Sequence, residues 1–308
     1  YGGVLLRFGL YSEQKPYMKK LLKSYKVKKI TIDSGNTIDW GKTSDDYSLY
    51  RSGMPDSYFR KLSEHGIGEE KQKILDLGTG TGNLAREFSR NGSIVSGIDI
   101  SEEQILMAQK LMHEQDLNID FQVSSAESLP FNDDSFDCAT ANQCFLYFDT
   151  NKALAEIKRV LKPNGLLMLS HFSWLPRIDA VARESEKLVL KYNPNWGAAP
   201  LLSKKIFRLI ASDFDGVPPP YYKLSKLGLA QRAMFFYDVR VPFTKESWRG
   251  RIRACRGIGA SLTEDEVKKF DKEHQELLDS ITDDSFSILH RIDIQIFSFS
   301  GYESSHEI

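Results

Sequence analysis

Between Ile74 and Leu84 the sequence reads Ile-Leu-Asp-Leu-Gly-Thr-Gly-Thr-Gly-Asn-Leu, an apolar run that enters a turn with glycine at three alternate positions, Gly78, Gly80 and Gly82. Glycine at that spacing lets a backbone turn sharply and approach a ligand without a Cβ in the way. A helix that follows at once points its unpaired N–H groups at whatever binds beyond the carboxyl end of the strand. Further on, Asp99 ends the run Gly97-Ile98-Asp99-Ile100, where a carboxylate can accept both hydroxyl hydrogens of a ribose diol. Turn, helix, strand and terminal acid in that order make one βαβ unit suited to a nucleoside-containing ligand, a stronger signal than the glycines alone.

Spacing then discriminates among nucleoside ligands. A dinucleotide turn needs G-x-G-x-x-G, with the third glycine placed for close packing of the helix. Here the third glycine comes one residue early, and Asn83 stands where that pattern needs a small residue. A nicotinamide-dependent oxidoreductase is therefore disfavoured.

The stretch Asp76-Leu77-Gly78-Thr79-Gly80-Thr81-Gly82 instead resembles the first motif, D/E-x-G-x-G-x-G, of the class I S-adenosylmethionine-dependent methyltransferases. Ser125-Ala126-Glu127-Ser128-Leu129-Pro130-Phe131 is similar to that family's third-strand loop, which places Ala126 and Glu127 beside an adenine. Asp134-Ser135-Phe136-Asp137, running into Ala141-Asn142-Gln143-Cys144, resembles its fourth-strand motif, and Leu161-Lys162-Pro163-Asn164-Gly165 the turn before strand five. The resemblance covers about residues 45–171 and two late strands. It implies a doubly wound, Rossmann-like α/β sheet of seven strands, mostly parallel with the last antiparallel, and a helical insertion after strand five. It further implies S-adenosylmethionine as cofactor, with contacts at Asp76, Gly78, Thr79, Gly80, Gly82, Asp99, Ile100, Ala126, Glu127, Asn142 and Gln143. Tyr47-x-x-x-Arg51 and Asn142–Asp149 resemble the small-molecule branch that includes aconitate-type and quinone-type enzymes, in which the N-terminal Tyr and Arg close over the cofactor's methionine end. The sequence departs from that branch at Leu146-Tyr147, where many relatives carry a His-Trp pair, so that histidine's role does not transfer.

The elements that must position these residues follow from periodicity. Short apolar or β-branched runs at 73–77, 94–99, 119–123, 136–141 and 165–170 alternate with helical patterns at 82–91, 102–115 and 150–162, the signature of parallel βαβ units. Beyond His171 the alternation breaks. A helix is expected at about 177–192, strands at 234–241 and 289–300, and a charged, mostly helical stretch over 245–280. This divides the chain into an N-terminal extension (1–44), a cofactor-binding core (45–171), a helical insertion (172–232) and a completion of the sheet with a helical insert (233–308). The seven lysines between Lys15 and Lys29 read as a solvated extension.

Lys and Arg number 41 against 42 Asp and Glu, so no global field draws in nucleic acid or an anionic membrane. Cys138, Cys144 and Cys255 follow no metal spacing and no disulfide framework, and packing is their expected role. No run reaches the ~20 apolar residues of a membrane span, and no secretory signal is evident, so the expected compartment is the cytoplasm and no metal is expected.

Methyl transfer asks little of a protein beyond in-line approach, a dry pocket and, for an acidic acceptor, a base. His171, beside strand five, and Tyr147, after strand four, are the candidate bases; for His171 a packing or capping role is the competing reading. Trp174, Trp196, Tyr221, Tyr222, Phe235 and Phe236 could line an acceptor pocket or belong to the core. The arginines of Trp248-Arg249-Gly250-Arg251-Ile252-Arg253 read by default as a solvated helix face, with a grip on an anionic acceptor as the alternative. The leading expectation is a methyltransferase for a small-molecule acceptor. An RNA or protein methyltransferase and a non-catalytic cofactor-binding regulator are the alternatives.

Overall fold

Lys-Ile-Leu-Asp-Leu forms strand β1 (Lys73–Leu77), buried at every position after the first, as a parallel strand covered on both faces must be. Ile74 packs into one apolar layer and Leu75 and Leu77 into the opposite one, the two-residue period of a strand with helices on each side. The computed structural model describes residues 49–50, 53–194, 196, 224 and 227–299. The expectations placed on the lysine-rich extension and on Tyr47, Arg51, Tyr221 and Tyr222 lie outside these residues.

The described elements run in chain order as α1 (Asp56–Ser63), β1, α2 (Asn83–Arg90), β2 (Ile94–Asp99), α3 (Glu102–Glu114), β3 (Asp120–Val123), β4 (Phe136–Asn142), α4 (Thr150–Val160) and β5 (Leu161–Trp174). There follow α5 (Ala180–Tyr192), β6 (Leu229–Thr244), α6 (Lys245–Arg253), α7 (Glu264–Ile281) and β7 (Ser285–Phe299). Helix starts are set by side chains that satisfy orphan N–H groups. Ser101, Asp149 and Asp179 cap α3, α4 and α5, while Thr244 with Ser247 and Thr263 with Glu266 form capping boxes at α6 and α7. Helix α2 starts instead on Gly82, at φ 76° and without a side-chain cap.

The strands form one sheet in the order β3-β2-β1-β4-β5-β7-β6. The pairs from β3 through β5 are parallel, and β7 runs antiparallel to both β5 and β6, so the doubly wound, mostly parallel architecture with an antiparallel last strand is present. From β1 the chain winds outward to β3 and then returns to β4 on the other side of β1. That reversal opens a crevice beyond the carboxyl ends of β1 and β4, the usual ligand site of such sheets.

Three strands are longer than their periodicity suggests. β5, β6 and β7 have 14, 16 and 15 residues against expected spans of 165–170, 234–241 and 289–300. β5 already pairs at Leu161↔Phe136, then slips before resuming at Leu166↔Cys138, so the Pro163–Gly165 turn is an excursion within the strand, anchored by Lys162 Nζ donating to Asp137 at 2.7 Å. At the other end β5, β7 and β6 keep pairing through Trp174↔His290 and Thr244↔Ser285. On this projecting tongue a third apolar core forms, in which Trp248, Phe270 and Ile288 are fully buried and to which α5, α6 and α7 all contribute. The helix after strand five and the helices between β6 and β7, assigned to different segments from sequence, thus share one cap.

Phe121 on β3 fixes how closely the central strands and the glycine turn can pack. A Cβ on Gly97 would lie 2.8 Å from its ring and 3.0 Å from Thr79 Oγ1. Gly97→Ala is therefore expected to destabilise the chain by about 1–3 kcal/mol, the usual range for overpacking, read as a lower midpoint in thermal or urea denaturation.

Candidate active site

Asp76 lies 2% exposed near the end of β1, and both its oxygens accept hydroxyl hydrogens. Thr79 Oγ1 donates to Oδ2 at 2.6 Å, and Thr140 Oγ1, across on β4, donates to Oδ1 at 2.7 Å. The carboxylate thus ties the glycine turn to β1 and β4 together, and it stands behind the cleft wall. Asp76 is among the expected cofactor contacts; among the described residues its hydrogen bonds go to Thr79 of the turn and Thr140 of β4. Two of the three glycines answer to the protein itself. Gly78 (φ 58°) would place a Cβ 2.7 Å from Cys144 Cβ, and Gly82 (φ 76°) would place one 2.6 Å from Phe121 Cζ, so positive φ and a filled neighbourhood both require glycine. Gly80 (φ 56°) lines the cleft with Gly78.

Asp99, at the end of β2, accepts Gly80 N–H on Oδ2 at 2.9 Å and Ser101 N–H on Oδ1 at 3.0 Å. Burial raises its carboxyl above the usual range, and the Ser101, Gly80 and Ile100 amides oppose that rise. Each oxygen of a carboxylate can accept about two hydrogens, so with the Gly80 bond on Oδ2 and the Ser101 bond on Oδ1 each keeps room for one more. Around it Ile100, Ala126 and Glu127 line the same cleft, and Glu127 is itself set by accepting Asp149 N–H at 2.7 Å and Ser125 Oγ at 2.9 Å.

On the β4 side the wall carries Asn142 and Gln143. Ser170 donates to Asn142 Oδ1 at 3.1 Å and is held in turn by the fully buried Tyr58 at 2.8 Å. Gln143 adopts a left-handed φ of 63°, strained for a residue with a Cβ, and its Nε2 donates to the Phe172 carbonyl. Tyr147 sits in a single 3₁₀ turn, Phe145–Tyr147; its hydroxyl accepts from Arg256 at 2.6 Å, and the guanidinium also lies 5.3 Å over the Trp196 ring. His171 lies within the lengthened β5, its Nδ1 3.3 Å from Asp293 Oδ1.

The cleft has a volume of about 660 Å³ and runs from the glycine turn and Asp99 to the cap. There Glu186 of α5, 1% exposed, accepts the indole N–H of Trp174 at 2.7 Å and of Trp196 at 2.6 Å. Burial raises the Glu186 carboxyl, against the two indole hydrogen bonds and the Arg251 charge, which lower it. Arg251 lies 4.8 Å over the Trp174 ring. The α6 arginines thus depart from the solvated default: Arg251 lines the cleft, while Arg249 and Arg253 both bind Asp271 of α7. Trp174 and Trp196 belong to the cleft wall, whereas Phe235 stacks on His65 and Phe236 lies under Arg291.

Sequence reasoning missed Asp293, Glu186 and Arg256. Asp293 had a visible signal, a single acid between isoleucines in a strand that reads as buried. Glu186 had none, because its indole partners are Trp174 and Trp196, on separate segments.

A model described as "Methyltransferase domain" matches residues 75–169. The chain is 38% identical over 106 residues to the uncharacterized methyltransferase YcgJ of Bacillus subtilis, covering 33% of this chain and 42% of YcgJ. It is 30% identical over 180 residues to the ubiquinone/menaquinone biosynthesis C-methyltransferase UbiE of Marinomonas, covering 55% of this chain and 67% of that protein. With UbiE of Proteus mirabilis the identity is 37% over 119 residues, covering 36% of this chain and 47% of the relative. The chain spans under half the length of several such relatives. The solved structure of B. subtilis YcgJ superposes with a TM-score of 0.47 at 25% identity, covering 78% of this chain and 97% of that one.

Burial pushes the Asp76 carboxyl up to about 6; the Thr79 and Thr140 hydrogen bonds oppose this and the Asp99 charge adds to it. An unfolded Asp titrates near ~3.9, so the native chain binds the extra proton between these values. The contribution of this group to stability is full below about pH 4 and lost as pH rises through about 6. Thermal denaturation across that window is expected to find the wild type losing stability relative to Asp76→Asn as pH rises.

Proposed function

We propose that this chain, which belongs to the class I S-adenosylmethionine-dependent methyltransferase family, moves a methyl group to a small-molecule acceptor held between the sheet and the cap. One observation carries the reading: a single cleft joins the Gly78–Gly80 turn and Asp99 to the aromatic wall of Trp174 and Trp196. A cofactor's nucleoside and an acceptor can therefore meet without leaving the protein. Relatives named as ubiquinone/menaquinone C-methyltransferases support a small organic acceptor. The formal charge of -1 gives nucleic acid no electrostatic draw.

The residues present fit the cofactor by their chemistry. Asp99 would take the ribose hydroxyls, Ala126 and Glu127 would flank the base with Ile100, and the Gly78–Gly80 backbone with Asn142 and Gln143 would face the amino-acid end. When bound, S-adenosylmethionine supplies an electrophilic methyl group on a positively charged sulfur. The chain's own part is to orient and to exclude water. Holding two reactants in line can contribute about 7–11 kcal/mol of the barrier. Trp174 and Trp196, locked by Glu186, and Tyr147, held by Arg256, give the acceptor a rigid wall, and His171 stands on the same wall with a nitrogen to accept a proton.

The first test is isothermal titration with S-adenosylhomocysteine, with NADH as control. The expected outcome is binding by the wild type and a loss of at least about tenfold in Asp99→Ala, since a charged hydrogen-bonding partner contributes ~1.5–3 kcal/mol. Binding of NADH without S-adenosylhomocysteine would overturn the reading.

A further inference from the structure

The antiparallel register of β5 and β7 sets His171 directly opposite Asp293, so both side chains stand on one face of the sheet. Nδ1 and Oδ1 are 3.3 Å apart. His171 lines the cleft, whereas Asp293 is 7% exposed on a strand whose adjacent Ile292 and Ile294 are fully buried. A carboxylate on a buried strand carries a desolvation cost unless a partner offsets it, and among the described residues its hydrogen bond goes to His171. In the next row of the sheet Arg291 is engaged with Asp238 at 2.7 and 3.0 Å. The other charged groups lining the cleft are Asp99, Glu127, Glu186, Arg251 and Arg256. An imidazole whose Nδ1–H faces a carboxylate keeps Nε2 as its accepting nitrogen.

Resting on the methyltransferase reading above, we infer that His171 and Asp293 form a proton-accepting pair, that Asp293 is its positioning residue, and that the acceptor carries an acidic hydroxyl, as a phenol or enol does. Nε2 takes the hydroxyl proton. The electron pair left on the acceptor, on oxygen or on a carbon conjugated with it, bonds to the methyl carbon, and sulfur keeps the pair of the broken bond. If carbon is the atom methylated, its own proton leaves to solvent to restore conjugation. The proton on the imidazole, stabilised beside Asp293, passes to solvent afterwards. An arylamine, which is neutral near pH 7 and already presents a lone pair, has no need of this base.

The test is nitrogen NMR of His171 in the full chain saturated with S-adenosylhomocysteine, with methyl transfer from labelled S-adenosylmethionine to parallel panels of phenols and arylamines. The expected neutral ring carries its proton on Nδ1 in the wild type and loses that preference in Asp293→Asn, and the methylated products come from the phenols. On the best phenol, Asp293→Asn should lower kcat about tenfold or more and move the pH–rate profile with KM unchanged, and Asp293→Glu should recover part of the loss; His171→Gln should lose about 10²-fold or more. A wild-type ring protonated on Nε2, an unchanged profile in Asp293→Asn, or preferential methylation of the amines would overturn the pair. Failure of S-adenosylhomocysteine to bind would instead overturn the methyltransferase reading, and the proton position on His171 in the unliganded chain would still decide the pair.

Discussion

The buried carboxylate of Asp76 is the constraint on which the glycine-turn end of the cleft depends. It accepts hydroxyl hydrogens from Thr79 in the turn and Thr140 on β4, and so joins three segments at the point where the strand order reverses. Its cost is that of any ion taken from water, visible in the upward push on its titration. The return is a turn whose backbone has one conformation. Gly78 then fits against Cys144 and Gly82 against Phe121, and Gly80 N–H is left to hold Asp99 in place.

The cap end of the cleft is built by a different device. β5, β7 and β6 continue past the sheet proper, and their projecting ends carry three helices around Trp248 and Phe270. Glu186 couples that cap to the cleft, because its two indole partners come from the end of β5 and from the segment after α5. A carboxylate satisfied by two N–H donors and set near Arg251 can stay buried. In doing so it fixes the plane of two aromatic walls. The same tongue puts β7 beside β5, which is how Asp293 reaches His171.

Much of the fold was legible because its causes are local. The alternation of apolar runs and 3.6-residue patterns located β1, β2, β4 and the helices between them within a residue or two, and the glycine spacing with Asp99 at the next strand end pointed to residues that line one cleft. The extra length of β5, β6 and β7 was not legible, since their ends become strand by pairing with one another. Nor was the break in β5 at Pro163, which reads as a helix terminator and a turn, and is accommodated by a slip in register with β4.

The sequence by itself determined the order of the elements, the positive-φ turn and the acid at the end of β2, because each depends on residues close along the chain. Only the tertiary structure decided what those residues do for one another. It placed Asp76 behind the wall with two threonines, turned the α6 arginines toward Asp271 and the cleft, enclosed Glu186 between two indoles, and set Asp293 against His171. Each of these joins positions that chain order leaves apart, 64 residues for Asp76 and Thr140 and 122 for His171 and Asp293, and strand register or helix packing, not local propensity, fixes which of them meet.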